Sequence, residues 1–597
     1  MFLAHFLHNR RVMKNTKLHH VLGMSGCTIL AILLLVSQAA RGDVIPAQRL
    51  IDWTKAGVPG GILTRTTIYT NISAGASESV IQNALNSCPN NQVVKLGSGT
   101  FTLSGQLQIP NSFTTLRGST NTYLVYGSST VNSGDAVVEI GATTSGSFWS
   151  ASGNSGASGY TVNNSVNWTG GYAQGTTVLT LASTSGLQVG QILGLDEASD
   201  GVNTFSIGCR YPYDGGTSVW ANRGAGDRVL QQYVLVTAIN GNNVTISPGL
   251  YSPFWSGALA PQAFWASGNF NNIQYSSVED LDINANKDQA ACIDMVNAYG
   301  CWARNVTMHN PNAFHATTLF TKNCEIRHCT FTDFPANESG LYGFQPVSSS
   351  DLRFEDNIFS NYINAVNFVA VSGSVFAYNY FTNDMVGSVV GNPTFNFFPH
   401  VGHSHFNLVE GNYARSQTFD CLYGNSSYNT TVRNRLTAYE SPNIGWCVRL
   451  MVRAYDFSAV GNVLGTPGVG MDYEGITGND IWCYASNTNP ASAGQWYDTR
   501  GIDPQVTNTL FRAGNWDAAN NAVVWGATPV QTISNSYAYA SKPAWWGNEP
   551  WPAYDPNSAS AANPQNIPAG YRFYFGVDPP AGVVTPPAPP ANLIFVQ

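Results

Sequence analysis

A short phrase that recurs between about residues 275 and 465 constrains the fold more than any other feature of this sequence. Each copy has an apolar residue, two further positions, an Asn and then an aromatic or aliphatic residue. The copies are FEDNIF (354–359), FAYNYF (376–381), VEGNYA (409–414), TVRNRL (431–436) and AVGNVL (459–464), with weaker ones at WARNVT (302–307) and EIRHCT (325–330). Self-similarity at a near-constant period is typical of a solenoid, in which each coil packs on its neighbours.

The spacing of the copies predicts a parallel β-helix. Successive anchors lie 23, 29, 22, 33, 22 and 28 residues apart, at Asn305, His328, Asn357, Asn379, Asn412, Asn434 and Asn462. A basal period near 22 fits coils stacked about 4.8 Å apart with loops of variable length. We expect Phe354, Phe376 and Val409 to form one interior column, and the Asn residues to hydrogen-bond from coil to coil. The sequence lacks the Leu spacing of leucine-rich repeats and the longer period of propellers.

The composition agrees with a long β architecture. Only 10% of the residues are charged, against about 25% in an average soluble protein. The 58 Asn and 58 Gly supply neutral turn and ladder groups instead. Helical bundles, coiled coils and charged disordered chains are rich in Ala, Glu, Lys or Arg and are therefore disfavoured.

Residues 1–42 have the pattern of a signal peptide. They contain five basic residues and no acidic ones, followed by an apolar run from Cys27 to Val36 and small residues before Asp43. The run is too short to span a bilayer, so we expect no transmembrane segment and a secreted or periplasmic protein. The net charge of −8 becomes more negative once this segment is removed, which disfavours nucleic acid as a partner.

The cysteines indicate burial more than metal binding. Nine follow the predicted signal peptide, and no CxxC pair occurs among them. We expect most to be buried apolar residues, with one or two disulfides. The sequence predicts no metal site and no cofactor, with Ca²⁺ as an open alternative.

The N-terminal region resembles a known group of proteins. SESVIQNALNSCP (77–89) predicts a capping helix that begins after Ser77, with Val80, Ile81, Ala84 and Leu85 on one face, and VVKLGSGTF (93–101) and TTLRGS (114–119) follow it. This order, together with TLFRAGNWD and SKPAWWGNEPWPAYDP in the tail, resembles secreted bacterial proteins of the pectate-lyase-like superfamily. The resemblance implies an all-β, right-handed parallel β-helix.

The repeat is interrupted before residue 256 and ends near residue 465. TTVLTLASTSGLQVGQILGLDE (176–197) and YVLVTAINGNNVTISPGLY (233–251) predict hairpins, the second around Asn240-Gly241. Seven of the 15 Trp follow residue 465, and we expect them to seal the C-terminal end, with stacking on sugar rings as the alternative. The predicted organisation is a signal peptide (1–42), N-terminal cap and first coils (43–160), an inserted β subdomain (161–255), main coils (256–465) and a Trp- and Pro-rich cap (466–597).

Candidate catalytic residues cluster in PHVGHSHFNLVEGNYARSQTFD (399–420), which is similar to a His-rich loop of the same superfamily. One of its His residues could act as acid or base, oriented by Glu410 or Asp420. If Phe354, Phe376 and Val409 point inward, Glu355 and Glu410 share an outer column about 9.6 Å apart, near the spacing of inverting glycosidases. The alternatives are ordinary hydrogen bonding for the His residues and solvated positions for the Glu residues.

Basic residues offer a second chemistry. Arg415, Arg433, Arg435, Arg449 and Arg453 are spaced a little under one coil apart and could form a strip that binds uronate carboxylates. An Arg or Lys, Lys287 included, could serve as base in β-elimination. The alternatives are surface ion pairs and a solvated turn. YGNSSYNTTVRNR (423–435) is similar to another phrase of the superfamily but has Tyr423 where His is expected.

The leading hypothesis is a secreted enzyme that cleaves a polysaccharide along the β-helix. Elimination of the pectate-lyase type is slightly preferred to hydrolysis by paired carboxylates, and the rival class is a glycan-binding protein or adhesin. We expect a monomer with a polysaccharide as substrate. The predicted catalytic residues are His403, Glu410, Asp420 and Glu355, and the predicted substrate-binding residues are His400, His405, Arg415, Arg433, Arg435 and Arg453.

Overall fold

A computed structural model describes residues 43–127, 132–141, 164–198, 228–266, 272–334, 341–384, 395–420, 425–440, 443–476, 478–484 and 502–581. The predicted signal peptide, Cys209, Cys421, Tyr423 and the last residues of the Pro-rich tail lie outside these ranges. The chain divides into two compact units, Met1–Asp43 and Val44–Gln597, and every element below belongs to the second.

The described residues contain 43 β-strands. The strands before the insertion are β1 Ile68–Ile72, β2 Gln92–Leu96, β3 Gly99–Leu103, β4 Leu107–Ile109, β5 Thr114–Arg117, β6 Thr122–Tyr126 and β7 Asn132–Ile140. The next six are β8 Ser165–Gly170, β9 Val178–Leu181, β10 Ile192–Glu197, β11 Leu230–Asn240, β12 Asn243–Ser247 and β13 Gln262–Phe264.

The remaining strands belong to the later coils and the C-terminal region. They are β14 Ile273–Gln274, β15 Ser277–Asn284, β16 Gln289–Val296, β17 Ala298–Tyr299, β18 Trp302–His309, β19 Phe314–Leu319, β20 Glu325–Arg327, β21 Thr330–Thr332, β22 Tyr342–Ser350, β23 Arg353–Glu355, β24 Ile358–Tyr362, β25 Asn364–Ser372, β26 Val375–Ala377, β27 Tyr380–Asp384, β28 Phe395–Val401, β29 Leu408–Glu410, β30 Tyr413–Ala414, β31 Gln417–Phe419, β32 Thr430–Val432, β33 Arg435–Leu436, β34 Tyr439–Glu440, β35 Asn443–Ile444, β36 Val448–Leu450, β37 Ser458–Val460, β38 Val463–Leu464, β39 Asp472–Gly475, β40 Asp480–Cys483, β41 Phe511–Ala513, β42 Asn515–Asp517 and β43 Ala522–Val524.

The α-helices are α1 Glu78–Ser87, α2 Pro504–Thr509 and α3 Pro568–Phe575. Short 3₁₀ helices span Ala47–Arg49, Trp53–Lys55, Gly257–Leu259, Ala544–Trp546, Pro556–Ala561 and Pro564–Asn566. Among the residues described, no helix is long and apolar enough to cross a membrane.

Two large sheets form the right-handed parallel β-helix that the sequence predicts. Sheet 1 has 22 strands and includes β15, β18, β23, β26, β29 and β32, and sheet 2 has 11 strands in the order β39-β40-β36-β31-β28-β25-β22-β19-β16-β7-β4. Neighbouring coils pair in parallel, and Phe354 lies beside Phe376, which lies beside Val409. All three are buried in the main core, so the predicted interior column is confirmed.

The Asn ladder is also confirmed, with one correction. The Asn379 side-chain oxygen accepts hydrogen bonds from the backbone N–H and the side-chain amide of Asn357. The same pattern continues through Asn412, Asn434 and Asn462. It ends at Asn515, which the repeat analysis missed.

The two weaker anchors of the repeat were placed one residue too early. In the structure Cys329, and not His328, occupies the ladder position, because its backbone N–H donates to the Asn357 side chain. His328 instead adopts the left-handed conformation, with φ of 60°, that precedes each ladder residue. Asn305, with φ of 53°, is in the same conformation.

The capping helix α1 begins after Ser77, as predicted, and packs with Ile81 and Leu85 buried. Val80 was wrongly assigned to the packed face, since it is exposed. The Ser77 side chain makes no capping hydrogen bond to the helix.

The inserted β subdomain is a closed barrel in the order β10-β11-β12-β9-β8-β13. The hairpin around Asn240-Gly241 is confirmed, because Asn240 pairs with Asn243 across the turn. The hairpin expected over residues 176–197 is wrong: β9 pairs with β8 and β12, whereas β10 pairs with β11 and β13. The barrel strands therefore close around a core of their own.

The C-terminal residues 533–546, which we term the C-terminal segment, pack on the flank of the main coils. Trp546 and Trp551 contact Tyr378 at ring-centroid distances of 4.7 and 5.7 Å. Trp53 from the N-terminal region belongs to the same apolar cluster. These aromatic side chains thus cover the outer face of sheet 1 near β26.

The seven cysteines of the described residues are buried, at positions 88, 292, 301, 324, 329, 447 and 483. Burial was predicted for most of them. The described part of the chain contains no disulfide.

Candidate functional site

The predicted outer column of sheet 1 exists, but the C-terminal segment covers it. Glu355 lies beside Ala377, which lies beside Glu410. Both glutamates are buried, with exposed fractions of 0% and 1%. The two carboxylates therefore lie on one face as expected, beneath other parts of the chain.

Glu410 holds the C-terminal segment in place. Its Oε1 accepts hydrogen bonds from the hydroxyls of Tyr378 and Ser536, and its Oε2 accepts from the backbone N–H groups of Tyr537 and Ala538. Burial raises the pKa of this carboxyl, and these donors oppose the shift. All four donors belong to the protein itself, so Glu410 anchors the C-terminal segment.

The other predicted residues of this face are similarly engaged. Glu355 accepts from the Tyr539 hydroxyl and from the Arg353 guanidinium. Arg433 donates to the carbonyl oxygens of residues 533, 534 and 554. Arg435 donates to three carbonyl oxygens of its own and the next coil. Arg433 and Arg435 of the predicted basic strip therefore bind backbone carbonyls of the protein itself.

His403 and His405 are fully buried in the stacked coils. His403 hydrogen-bonds to the side chains of Asn425 and Ser427, and His405 Nδ1 lies 3.1 Å from the His403 carbonyl oxygen. Burial lowers the pKa of His403 well below its usual value and that of His405 to about 4. Both imidazoles are therefore neutral at neutral pH.

His400 and Asp420 form a pair on the outer face of sheet 2. His400 Nδ1 lies 2.6 Å from Asp420 Oδ2, and the imidazole packs against Phe398 at 5.3 Å. Arg415 pairs with Asp384 at 3.2 Å, and the Arg453 backbone N–H donates to Asp503. The structure therefore separates the predicted site residues among two sheets and the interior.

Two carboxylates that the sequence analysis did not select face each other on sheet 2. Glu139 on β7 and Asp294 on β16 are register partners in adjacent parallel strands. Val138, Ile140, Ile293 and Met295 on either side of them point into the core, so both carboxyl groups point outward. Exposed fractions are 0% for Glu139 and 3% for Asp294.

The environment of Asp294 favours its protonated form. Burial is the main cause that raises its pKa well above the usual value, the nearby Glu139 carboxylate adds to the shift, and a hydrogen bond from the Met295 backbone opposes it. Two carboxyl groups close together in a buried site cannot both ionise easily. The arrangement places a carboxyl group with a raised pKa beside a second carboxyl group, a combination suited to acid–base catalysis.

A polar column continues from this pair along sheet 2. Asp294 lies beside Thr317, and Thr317 beside Gln345. Gln345 follows Phe344, whose register partner is Val366, so Gln345 lies beside Asn367. The polar column, as we term Glu139, Asp294, Thr317, Gln345 and Asn367, spans four coil steps, or about 19 Å.

Several groups of the polar column lack a hydrogen-bond partner. Asp294 Oδ1, Gln345 Nε2 and both amide atoms of Asn367 are buried and have none among the described residues. A buried unsatisfied group costs about 1–3 kcal/mol, so such groups are rare in native proteins. These groups are therefore candidates for hydrogen bonds to a ligand.

An aromatic strip lies alongside the polar column. Phe314 stacks on Tyr342 at a ring-centroid distance of 6.0 Å, and Tyr342 contacts Phe398 at 5.8 Å. Phe398 is the register partner of Asn367, and the Phe398 ring also contacts the His400 imidazole. Aromatic faces beside polar groups suit the C–H faces and hydroxyls of sugar rings.

The sequence contains a signal for this site that the repeat analysis did not use. Glu139 stands in AVVEI and Asp294 in ACIDMV, so each is the one acid of an apolar run. An acid in such a strand must point away from the core. If it is buried there, it costs folding free energy whether it is charged or protonated, unless it is hydrogen-bonded or paired. Their pairing was hidden because the barrel separates β7 from β16 in the sequence.

The described residues include no group of three or more His, Cys, Asp or Glu side chains arranged to hold a metal ion. Ca²⁺ therefore stays an untested alternative from the sequence.

Comparison with known proteins gives matches in structure only. No family model and no curated protein matches the sequence. The chain is similar to the tailspike of Pseudomonas phage phi297, with a TM-score of 0.46 and 11% identity over 78% of this chain and 76% of that one. For the tailspike of Acinetobacter baumannii bacteriophage AP22, solved with a capsular saccharide, the values are 0.42 and 10% over 75% and 64%.

A polygalacturonase from Erwinia carotovora gives a TM-score of 0.29 and 10% identity over 71% of this chain and 85% of that one. At such values these proteins indicate no activity for this chain. Its resemblance to the pectate-lyase-like superfamily is confirmed at the level of the fold, by the stacked coils and their parallel register.

Proposed function

We propose that this chain hydrolyses a polysaccharide lying along the polar column, with Asp294 as general acid and Glu139 as its partner carboxylate. The observation that carries the proposal is the register pairing of these two acids on the outer face of sheet 2. The raised pKa of Asp294 supports its role, because a general acid must hold its proton near neutral pH.

The spacing of the pair favours retention of configuration. Adjacent strands lie about 4.8 Å apart, close to the roughly 5–5.5 Å between the carboxyl groups of retaining glycosidases. Asp294 would protonate the glycosidic oxygen while Glu139 attacks the anomeric carbon and forms a glycosyl ester. Water, deprotonated by Asp294, would then release the sugar and regenerate Glu139.

The remaining groups of the site would bind the chain. The amides of Gln345 and Asn367 offer donors and acceptors to sugar hydroxyls, and Phe314 and Tyr342 offer ring faces. His400, with Asp420 as its partner in the next coil, would bind at the far end, four coil steps or about 19 Å along the β-helix from Asp294. That distance accommodates several sugar rings, so the substrate would be a polymer.

Hydrolysis is favoured over the elimination that the sequence analysis slightly preferred. Elimination needs a basic residue at the site. Of the predicted Arg residues, Arg433 and Arg435 on sheet 1 donate to backbone carbonyls, and the other predicted base, Lys287, lies at an exposed turn. Glu139 and Asp294 supply the two carboxyl groups that hydrolysis needs.

The test is turnover of plant, algal and microbial polysaccharides by the purified chain. We expect new reducing ends without the ultraviolet absorbance of an unsaturated product. Asp294→Asn and Glu139→Gln should each lower turnover by about 10²–10⁴-fold. Asp472→Asn, at an exposed acid of β39, is the matched control and should leave turnover unchanged.

Three outcomes would overturn the proposal. Full turnover in both Asp294→Asn and Glu139→Gln would show that these two acids are not catalytic. An unsaturated product would establish elimination. Saccharide binding without product from any polymer would support the rival glycan-binding protein. Retention itself is tested with Glu139→Ala, to which azide should restore turnover by forming a glycosyl azide.

A further inference from the structure

Two cysteines stand in register on consecutive coils of the β-helix. Trp302 on β18 pairs in parallel with Glu325 on β20. Cys301 and Cys324 directly precede these two residues, so the cysteines are neighbours across the coils. The Glu325 backbone N–H donates to the Cys301 carbonyl oxygen at 2.9 Å, which holds this register. We term Cys301 and Cys324 the cysteine pair.

The two thiols of the cysteine pair lie within hydrogen-bond reach of each other. Both residues are buried, with exposed fractions of 0% for Cys301 and 2% for Cys324. Neighbouring strands of a sheet lie about 4.8 Å apart. Disulfides join residues whose Cα atoms are about 4.4–6.8 Å apart. The backbone of the two coils is therefore already placed for a bond between these sulfur atoms.

The other contacts of these thiols are weak. Cys301 Sγ lies 3.5 Å from the carbonyl oxygen of Ile273. Cys324 Sγ lies 3.5 Å from the carbonyl oxygen of Ala298. A thiol is a weak hydrogen-bond donor, so the loss of both thiol protons costs little hydrogen-bond energy. The Ser276 backbone N–H donates to Cys301 Sγ, and a disulfide sulfur retains a lone pair for this bond.

The neighbouring coils show that packing at this position does not require sulfur. The register places five residues in one column, which are, in coil order, Ser276, Cys301, Cys324, Leu352 and Ser374. Serine and leucine side chains thus fill the same place in other coils. Two cysteines on consecutive coils are the arrangement that a disulfide between coils needs.

We propose that a disulfide joins Cys301 to Cys324 when the protein is made in an oxidising compartment. The signal-peptide pattern of residues 1–42 predicts such a compartment. The oxidant is a disulfide, either of a small thiol or of a thiol oxidoreductase. One cysteine thiolate attacks the oxidant and releases its first thiol, and the second cysteine attacks the mixed disulfide and releases the other. The two released thiols carry away the two electrons and two protons that the protein loses.

Burial of the pair determines when the bond forms. The thiolate is the reactive form of cysteine, and burial raises the pKa of the Cys324 thiol well above its usual value. We therefore expect oxidation while the coils are forming, and slow oxidation of the folded, reduced chain. The bond closes residues 301–324, one coil, into a ring and stabilises the fold by restricting the unfolded chain. It does not depend on whether Glu139 and Asp294 cleave a polymer.

The test is peptide mapping of the full chain after secretion into an oxidising compartment. The protein is denatured with iodoacetamide and without reductant, and is then digested with trypsin. Trypsin separates residues 288–304, which contain Cys292 and Cys301, from residues 323–327, which contain only Cys324. We expect these two peptides to be disulfide-linked, with fragmentation placing the bond at Cys301. Alkylation of both Cys301 and Cys324, or a bond at Cys292 instead, overturns the proposal.

Variants measure the effect of the bond on stability. Reductant should lower the denaturant midpoint of the secreted protein, and Cys301→Ser and Cys324→Ser should each abolish this shift. Both variants should fold, because Ser276 and Ser374 occupy the same column. Cys292→Ser, at another buried cysteine, is the matched control and should keep the shift. Absence of the shift in the parent chain, or an equal shift in all three variants, overturns the proposal.

Discussion

Asp294 lies in surroundings that oppose its charge. The carboxyl is buried, one of its oxygens has no hydrogen-bond partner in the described part of the chain, and Glu139 lies beside it. A buried carboxyl group of this kind lowers the free energy of unfolding. A catalytic use of its proton would account for its presence. The same residue therefore links the acidity of the site to the stability of the fold.

Asp294→Asn should make the stability of the protein less dependent on pH. Because the folded pKa of Asp294 is raised, its contribution is fully present below the unfolded value of about 3.9 and is lost as pH rises through the folded pKa. The stability of the variant relative to that of the parent should therefore be greater at pH 7 than at pH 4. Denaturant unfolding at pH 4 and pH 7 measures the difference.

The control for this experiment is Asp472→Asn, which should alter stability little at either pH because Asp472 is exposed. A stability gain of equal size at pH 4 and pH 7 would contradict the assigned cause, since it would not follow the titration.

Among the structural elements, the Asn ladder joins the coils at one bend. Each side-chain oxygen accepts two hydrogen bonds from the preceding coil, and the amide donates to the next rung and to backbone carbonyls. The residue before each rung adopts the left-handed conformation, as Tyr378 and Gly411 do with φ of 59° and 64°. The ladder therefore fixes both the bend and the register of consecutive coils.

Asn412→Ala should lower the free energy of unfolding by about 2–5 kcal/mol. The change leaves two buried donors of Asn379 without their acceptor, each worth about 1–3 kcal/mol, and removes one of the two hydrogen bonds that the Asn434 side-chain oxygen accepts from residue 412. Asn242→Ala, at an exposed turn of the barrel, is the matched control. Denaturant midpoints would contradict the ladder's role if both variants shifted them equally.

At the scale of the whole molecule, the N-terminal and C-terminal regions pack on the coils of the β-helix. Residues 44–57 and the C-terminal segment pack in one apolar cluster on the outer face of sheet 1. Glu410, Glu355 and Arg433 bind this cover through hydrogen bonds to backbone and side chains. Sheet 2, in contrast, carries the polar column and the aromatic strip.

Glu410→Gln should reduce stability and leave turnover unchanged. A carboxamide replaces one acceptor oxygen by a donor, which then faces hydroxyl or N–H donors of the C-terminal segment. We expect a loss of about 2–4 kcal/mol, from one or two unsatisfied buried groups. Parallel measurements of denaturant unfolding and kcat check both parts. The control is Glu474→Gln, at an exposed acid of β39 whose surface ion pair with Arg512 is worth at most about 1 kcal/mol.

A loss of turnover in Glu410→Gln at full stability would contradict this role and would restore Glu410 as a catalytic candidate.

The sequence by itself determined the coil. The spacing of the Asn anchors was sufficient to predict the parallel β-helix, the Phe354–Phe376–Val409 column and most of the ladder, because stacked coils repeat the same local contacts. Only the tertiary structure decided which acids share a site. Glu139 meets Asp294 because β7 and β16 pair in neighbouring coils although the barrel separates them in the sequence, and Glu410 is buried because a distant segment returns over it. Neither contact follows from a local period, since both depend on where long insertions and the chain ends pack.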